Sequence, residues 1–247
     1  MIPLKSDKDL QGLRASGKIL AGIMQKLREA VKAGVSTAEL DQLASELMEK
    51  NSASPAFKGY KGYPANICTS INEEIVHGIP SERRLIEGDI VSLDAGINYQ
   101  GYFTDAAITV PVGRVDGRVK KLIDVTREAL SEGIKRARPD NQVSDISYAI
   151  QSYAERYGFS VVRDFVGHGI GSSLHEEPEI PNYGLPHRGP LLKSGMVLAI
   201  EPMVNAGTWR SSVLDNQWTA VTVDKMPSAH FEHTVAITDR GPEILTR

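Results

Sequence analysis

Twice along this chain two helical hydrophobic patterns are followed by a run of strand patterns, and this repeated order constrains the fold more than any other feature. From Ser6, Leu10, Leu13, Ile19, Ile23, Leu27 and Val31 recur at helical spacing, with Ser6 as N-cap and Gly34 as stop. A second helix starts after Ser36 or Thr37 and carries Leu40, Leu43, Leu47 and Met48 on one side. The period then shortens to that of strands through AFKGY, NICTSI, EEIVHGI and the pair DIVSLDAGI and GYFTDAAITV. Helical spacing returns from about Arg118 and again through VSDISYAIQSYAERYGF. Strands follow in SVVRDFVGHGI, GMVLAIEPMV, WTAVTV and AHFEHTVAITD. The segment TAELDQLASELMEK resembles SDISYAIQSYAER of the second run. The expectation is a single α+β domain of two related halves, residues 1–115 and 116–247, joined near 113–117. A site at that junction would draw residues from both halves.

With 247 residues, 41% of them hydrophobic and 24% charged, the chain can bury a sizeable core. A net charge of −3, with basic clusters as short as Glu82-Arg83-Arg84 and Lys120-Lys121, argues against a DNA or RNA partner. Cys68 is the only cysteine, which excludes an internal disulfide framework and fits a reducing compartment. The N-terminus MIPLKSDKDLQGL lacks the apolar core of a signal peptide, and no stretch has the length of a membrane span. A cytoplasmic protein with no membrane partner is expected.

Chemistry concentrates first in SLDAGINYQGYFTDAA, residues 92–107. Taken as a hairpin with Tyr99 and Gln100 at the tip, it puts Asp94 directly opposite Asp105, both on the side of Ser92, Gly96 and Phe103. Facing like charges destabilise a sheet, the more so when buried, unless a proton or a cation intervenes. Glu201 interrupts the apolar run MVLAIEPMV, Glu232 interrupts AHFEHTVAIT, and His168 stands between glycines that leave room for a ligand. Asp94, Asp105, His168, Glu201 and Glu232 form an oxygen-rich set with one imidazole, and four carboxylates match the charge of two divalent ions. Other chemistries lack their signatures. His175-Glu176-Glu177-Pro178-Glu179 is not H-E-x-x-H, no G-x-S-x-G is present, and Gly167, Gly169 and Gly171 have the wrong spacing for a dinucleotide loop.

INEEIVHGIP, SLDAG, GYFTDAA, GHGIG with LHEEP, AIEPMV and FEHT, in that order over residues 6–245, resemble the type I methionine aminopeptidases. The resemblance implies the pita-bread fold, two α+β halves related by a pseudo-two-fold axis with a curved antiparallel sheet covered by helices. It implies two divalent ions of manganese, iron, cobalt or zinc, with Asp94 bidentate, Asp105 and Glu232 bridging, and His168 and Glu201 each completing one ion's shell. It assigns His77 to the scissile amide, His175 to the oxyanion and Glu201 to proton transfer. It lines the methionine pocket with Tyr60, Tyr63, Cys68, Leu174, Trp218 and Phe231. It further implies a monomer acting on nascent polypeptide N-termini near the ribosome, without the N-terminal zinc-binding extension of some eukaryotic forms. Phe57, Lys61 and His230 depart from well-known bacterial members, which bears on pocket shape and inhibitor preference. The rivals are an X-Pro aminopeptidase or prolidase of the same fold, and a non-enzymatic pita-bread protein that binds without cleaving. The family's preference for a small second residue would leave Met1 in place before Ile2.

Overall fold

The computed structural model describes residues 2–247. In chain order these form α1 (Asp7–Ala30), α2 (Thr37–Lys50), β1 (Ser54–Pro55), a 3-10 turn at Tyr60–Gly62, β2 (Cys68–Ile71), β3 (Glu74–Val76), β4 (Ile90–Tyr99) and β5 (Tyr102–Pro111). Beyond Pro111 come α3 (Gly117–Arg136), α4 (Val143–Arg156), β6 (Ser160–Val161), β7 (Val166–Gly169), β8 (Glu176–Pro181) and β9 (Val197–Ile200). Short strands complete the chain: β10 (Met203–Asn205), β11 (Ser211–Val213), β12 (Ala220–Thr222), β13 (Ser228–His230), β14 (His233–Thr238) and β15 (Gly241–Ile244).

Helix starts follow local capping chemistry. Ser6 Oγ accepts from Asp9 N–H while Asp9 Oδ2 accepts from Ser6 N–H, and Ser36 and Glu39 form the same reciprocal pair at α2. The first helix ends at Ala30, short of the stop expected at Gly34.

Each helix pair covers one large antiparallel sheet. Leu20, Ile23 and Leu27 of α1 pack with Leu40 and Met48 of α2 on Val91, Leu93, Ala95 and Ile97, the odd-numbered face of β4. That sheet runs β1-β4-β2 with β5 on the free side of β4. The helices α3 and α4 pack with Leu198, Ile200, Val235 and Ile237 beside a five-stranded sheet of order β15-β14-β9-β7-β8. At Gly133 of α3 an added Cβ would lie 2.8 Å from Ile150 of α4, so the two helices meet closely.

The two sheets are stitched together along β5 and β14. Glu232 N–H donates to Ala107 O at 2.9 Å, and Thr109 Oγ1 exchanges hydrogen bonds with the backbone of His230 at 2.8 and 2.9 Å. Every side chain of the predicted ligand set stands on this seam or on strands beside it.

Five strand expectations change. The hairpin register is Asp94 against Ala107 and Gly96 against Asp105, because the tip is Gln100-Gly101, with φ of 54° and 87°. A two-residue hairpin turn with both φ positive favours glycine, which places the tip one residue later than expected. The aspartates are therefore diagonal neighbours; a displacement of two residues keeps both on the same face. AFKGY is a loop rather than a strand, with a positive φ at Gly59, and the chain keeps turning just beyond it through positive φ at Lys61 and Gly62. SVVRDFVGHGI is broken into β6 and β7, GMVLAIEPMV into β9 and β10, and AHFEHTVAITD into β13 and β14.

Candidate metal centre

The structure brings all five predicted ligands to one cleft of about 300 Å³. Asp94 and Asp105 project from the even face of β4 and the matching face of β5, His168 from β7, Glu201 from the end of β9 and Glu232 from the turn into β14. Ligand atoms of Asp105, His168 and Glu232 all lie within 4.8 Å of one another. Glu201 Oε1 lies 3.6 Å from His168 Nε2. His168 Nδ1 meets Gly169 O at 2.9 Å, so Nδ1 carries the proton and the Nε2 lone pair is turned toward the carboxylates.

Burial makes this group electrostatically incomplete. Desolvation, reinforced by the neighbouring Asp105, pushes the Asp94, Glu201 and Glu232 carboxyls well above the ordinary range. Desolvation raises Asp105 to about 7, while His168 is pushed down to about 3 by burial and by the nearby His175. Among the described residues no lysine or arginine pairs with these carboxylates, and Asp94 Oδ1 and Glu232 Oε1 have no hydrogen-bond partner. Buried oxygens of this kind need a cation, and carboxylates with one imidazole suit a first-row divalent ion. The residues present fit such an ion.

The glycines beside His168 serve a different purpose from the one expected. A Cβ at Gly167 would lie 2.5 Å from Ala199 O, and one at Gly169 would lie 2.2 Å from Glu177 O. They let neighbouring strands close on β7 rather than opening space for a ligand.

Aromatic and soft side chains form the rest of the cleft. Tyr60, Tyr63, Cys68, Leu174, Trp218, His77 and His175 all line it. Tyr63 hydroxyl donates toward Ile67 O and Gly78 O, which fixes the ring edge-on to Trp218 at 5.1 Å. His175 stacks on Tyr60 at 5.1 Å, and its ring centroid is 4.1 Å from that of His168. His77 has φ of 60°, an uncommon conformation for a residue with a side chain, and stands edge-on to Phe165 and Trp218. Burial holds His77 near 4 and, with the Lys61 charge, keeps His175 below its ordinary value, so both are neutral near pH 7. Burial and the Asp94 charge raise the Cys68 thiol, leaving it a neutral packing group.

Phe231 does not belong to this pocket. Its side chain packs in the core with Val235, Leu198 and Ile134, because it neighbours Glu232 in an extended segment and points to the other side. Its place is taken by Phe165 and Val166, with Phe57, Lys61, Val76 and Asp164 completing the lining. Phe165 and Val166 lie three and two residues before His168 in sequence, which is the signal that would have found them. His230 is also closer to the centre than its sequence position suggests: Nε2 lies 3.5 Å from Glu201 Oε2, and the residue is only 1% exposed.

A sequence model of metallopeptidase family M24 matches residues 11–239 of this chain. The chain belongs to metallopeptidase family M24. Within M24 it is 52% identical to a methionine aminopeptidase of Clostridium acetobutylicum over 247 residues, covering 100% of this chain and 99% of that one. The crystal structure of a methionine aminopeptidase from Thermotoga maritima superposes with a TM-score of 0.98 at 47% identity, covering 100% of both chains. A prolidase from Pyrococcus furiosus is similar in fold alone, with a TM-score of 0.81 at 23% identity; the match covers 99% of this chain and 65% of the prolidase. This M24 member has the pita-bread fold, and like its family it is a metal-dependent peptidase. Among the described residues no helix is long and apolar enough to cross a membrane.

Proposed function

We propose that the enzyme removes N-terminal methionine from polypeptides whose second residue is small, acting in the cytoplasm on nascent chains, as a monomer, at a centre of two divalent ions. The observation that carries this reading is the adjacency, in one cleft, of partnerless buried carboxylate oxygens and an aromatic, thiol-containing pocket.

Asp94, Asp105, His168, Glu201 and Glu232 would hold the ions. Divalent metals bound there supply an activated water at neutral pH and polarise the scissile carbonyl. Glu201, which stands within the ligand set beside His168, takes the proton from the attacking water and delivers it to the leaving amine. His175, neutral and lying against His168, donates to the oxygen on which negative charge develops. His77 meets the peptide beyond the first residue and orients the amide. Tyr60, Tyr63, Cys68, Leu174 and Trp218 surround an unbranched thioether with polarisable and aromatic surface.

The test is peptide cleavage with manganese, cobalt or iron supplied. Release of Met from Met-Ala and Met-Gly peptides, with Met-Leu and Met-Lys spared, supports the reading. Equal cleavage of both classes, or preference for X-Pro bonds, overturns it.

A further inference from the structure

Lys5 and Glu176 form an ion pair outside the cleft, Nζ to Oε2 at 2.5 Å, with each side chain only 7% exposed. The other carboxylate oxygen of Glu176 is fully used: it accepts from Ser172 N–H at 2.7 Å, Ser172 Oγ at 2.8 Å and Ser173 N–H at 3.2 Å. One carboxylate thus closes the turn from Ser172 onto the residue directly after His175. Lys5 neutralises that carboxylate.

The lysine is itself held along its length. Its N–H donates to Gly195 O at 2.7 Å, and its stem crosses Gly171 so closely that a Cβ there would lie 2.3 Å from Lys5 Cε. Gly171 O in turn accepts from Phe103 N–H of β5 at 2.7 Å. The turn between Gly171 and Glu176 is therefore gripped by β5 on one side and by the segment preceding α1 on the other. Two of its residues, Leu174 and His175, enter the cleft. A pair this buried is costly to break, because the remaining charge loses its counter-charge.

We propose that Lys5 and Glu176 are positioning residues for His175, so that the segment ahead of α1 is a working part of the active site. This rests on the role given to His175 above. Neither side chain lines the cleft, although Glu176 follows His175 directly and its charge reaches His168. Its loss lets the turn relax and misplaces the His175 donor, with a smaller effect on the pocket through Leu174, while metal binding remains.

The experiment compares wild type with Lys5→Met, Glu176→Gln, His175→Ala and the Lys5→Met/His175→Ala double variant. The readouts are kcat and KM on Met-Ala-Ser with manganese, manganese affinity by calorimetry, and thermal melting. Lys5→Met is expected to lower kcat by about 10- to 100-fold, the scale of a small misplacement of a reacting group, with a smaller change in KM through Leu174 and manganese affinity nearly unchanged. In the His175→Ala background the same substitution should cost less than about twofold, since the group it acts through is gone. An equal loss in both backgrounds, or a wild-type kcat in Lys5→Met, overturns the proposal. If Lys5→Met does not fold, Glu176→Gln, made in both backgrounds, carries the same comparison. His175→Ala with wild-type activity would instead remove the premise about His175, an outcome distinct from any result at Lys5.

Discussion

Asp105 and Thr234 hold each other across the seam between the two large sheets: Asp105 N–H donates to Thr234 Oγ1 at 2.9 Å, and that hydroxyl donates to Asp105 O at 2.8 Å. The backbone of a candidate ligand on β5 is thereby tied to β14, whose preceding residues include Glu232. Thr234→Val keeps the shape and removes the hydroxyl, leaving both backbone groups of Asp105 without that partner. A loss of about 2 to 6 kcal/mol is expected, at roughly 1 to 3 for each orphaned group, read from urea denaturation. Manganese affinity should weaken as well. Unchanged stability would mean that the seam holds without the threonine.

The pH dependence of the metal-free protein follows from two opposed sets of buried groups. Asp94, Asp105, Glu201 and Glu232 have folded-state values raised by burial, so their contribution to stability is present at low pH and lost as pH rises toward their folded values, near 7 for Asp105. His77, His168 and His230 are depressed by burial to about 4, 3 and 3, so their contribution is lost as pH falls below the ordinary histidine value of 6.5. The two sets oppose each other in mild acid. Above pH 6.5 only the carboxylates remain, and the melting temperature with chelator present should fall as pH rises to 8. Saturating manganese should abolish that fall. A flat profile in chelator would show that the carboxylates already have a counter-charge.

Asp94→Asn removes a negative charge from a group that has too many. The variant should lose manganese binding by calorimetry and lose cleavage of Met-Ala, yet in chelator at pH 8 it should melt no lower than wild type. Full activity would take Asp94 out of the site.

The substrate rule bears on the chain itself. Met1 lies outside the described residues, but Ile2, bulky and branched, packs against the core beside α3 and α4. Intact-mass measurement of the purified protein should find Met1 retained; its quantitative removal would contradict the preference for small second residues.

Much of this architecture was legible because local chemistry and hydrophobic period agree. Ser6 and Ser36 mark helix starts by side chains that cap, and the odd-numbered residues of β4 are apolar because they meet α1 and α2. The five candidate ligands stand out as polar residues in apolar runs, and the fold does bring them together. What misled was residue-by-residue geometry. The hairpin tip follows the positive φ at Gln100 and Gly101, which shifts the register without changing the face. The family resemblance places Phe231 in the pocket, although its adjacency to Glu232 in an extended segment sends the two side chains apart. The strand β8 was hidden by Pro178 and Pro181, residues that an edge position tolerates. The closeness of His230 to Glu201 and the ion pair of Lys5 with Glu176 depend on contacts between distant segments, which no local pattern reports.

The stitching of β5 to β14 also sets an order in time. During synthesis the hairpin bearing Asp94 and Asp105 is made long before the segment that supplies Glu232 and Thr234. Until that later segment docks, the early carboxylates lack both the seam and the rest of their set. A growing copy of the enzyme therefore has no assembled centre until the segment bearing Glu232 and Thr234 has been made and has docked on the hairpin.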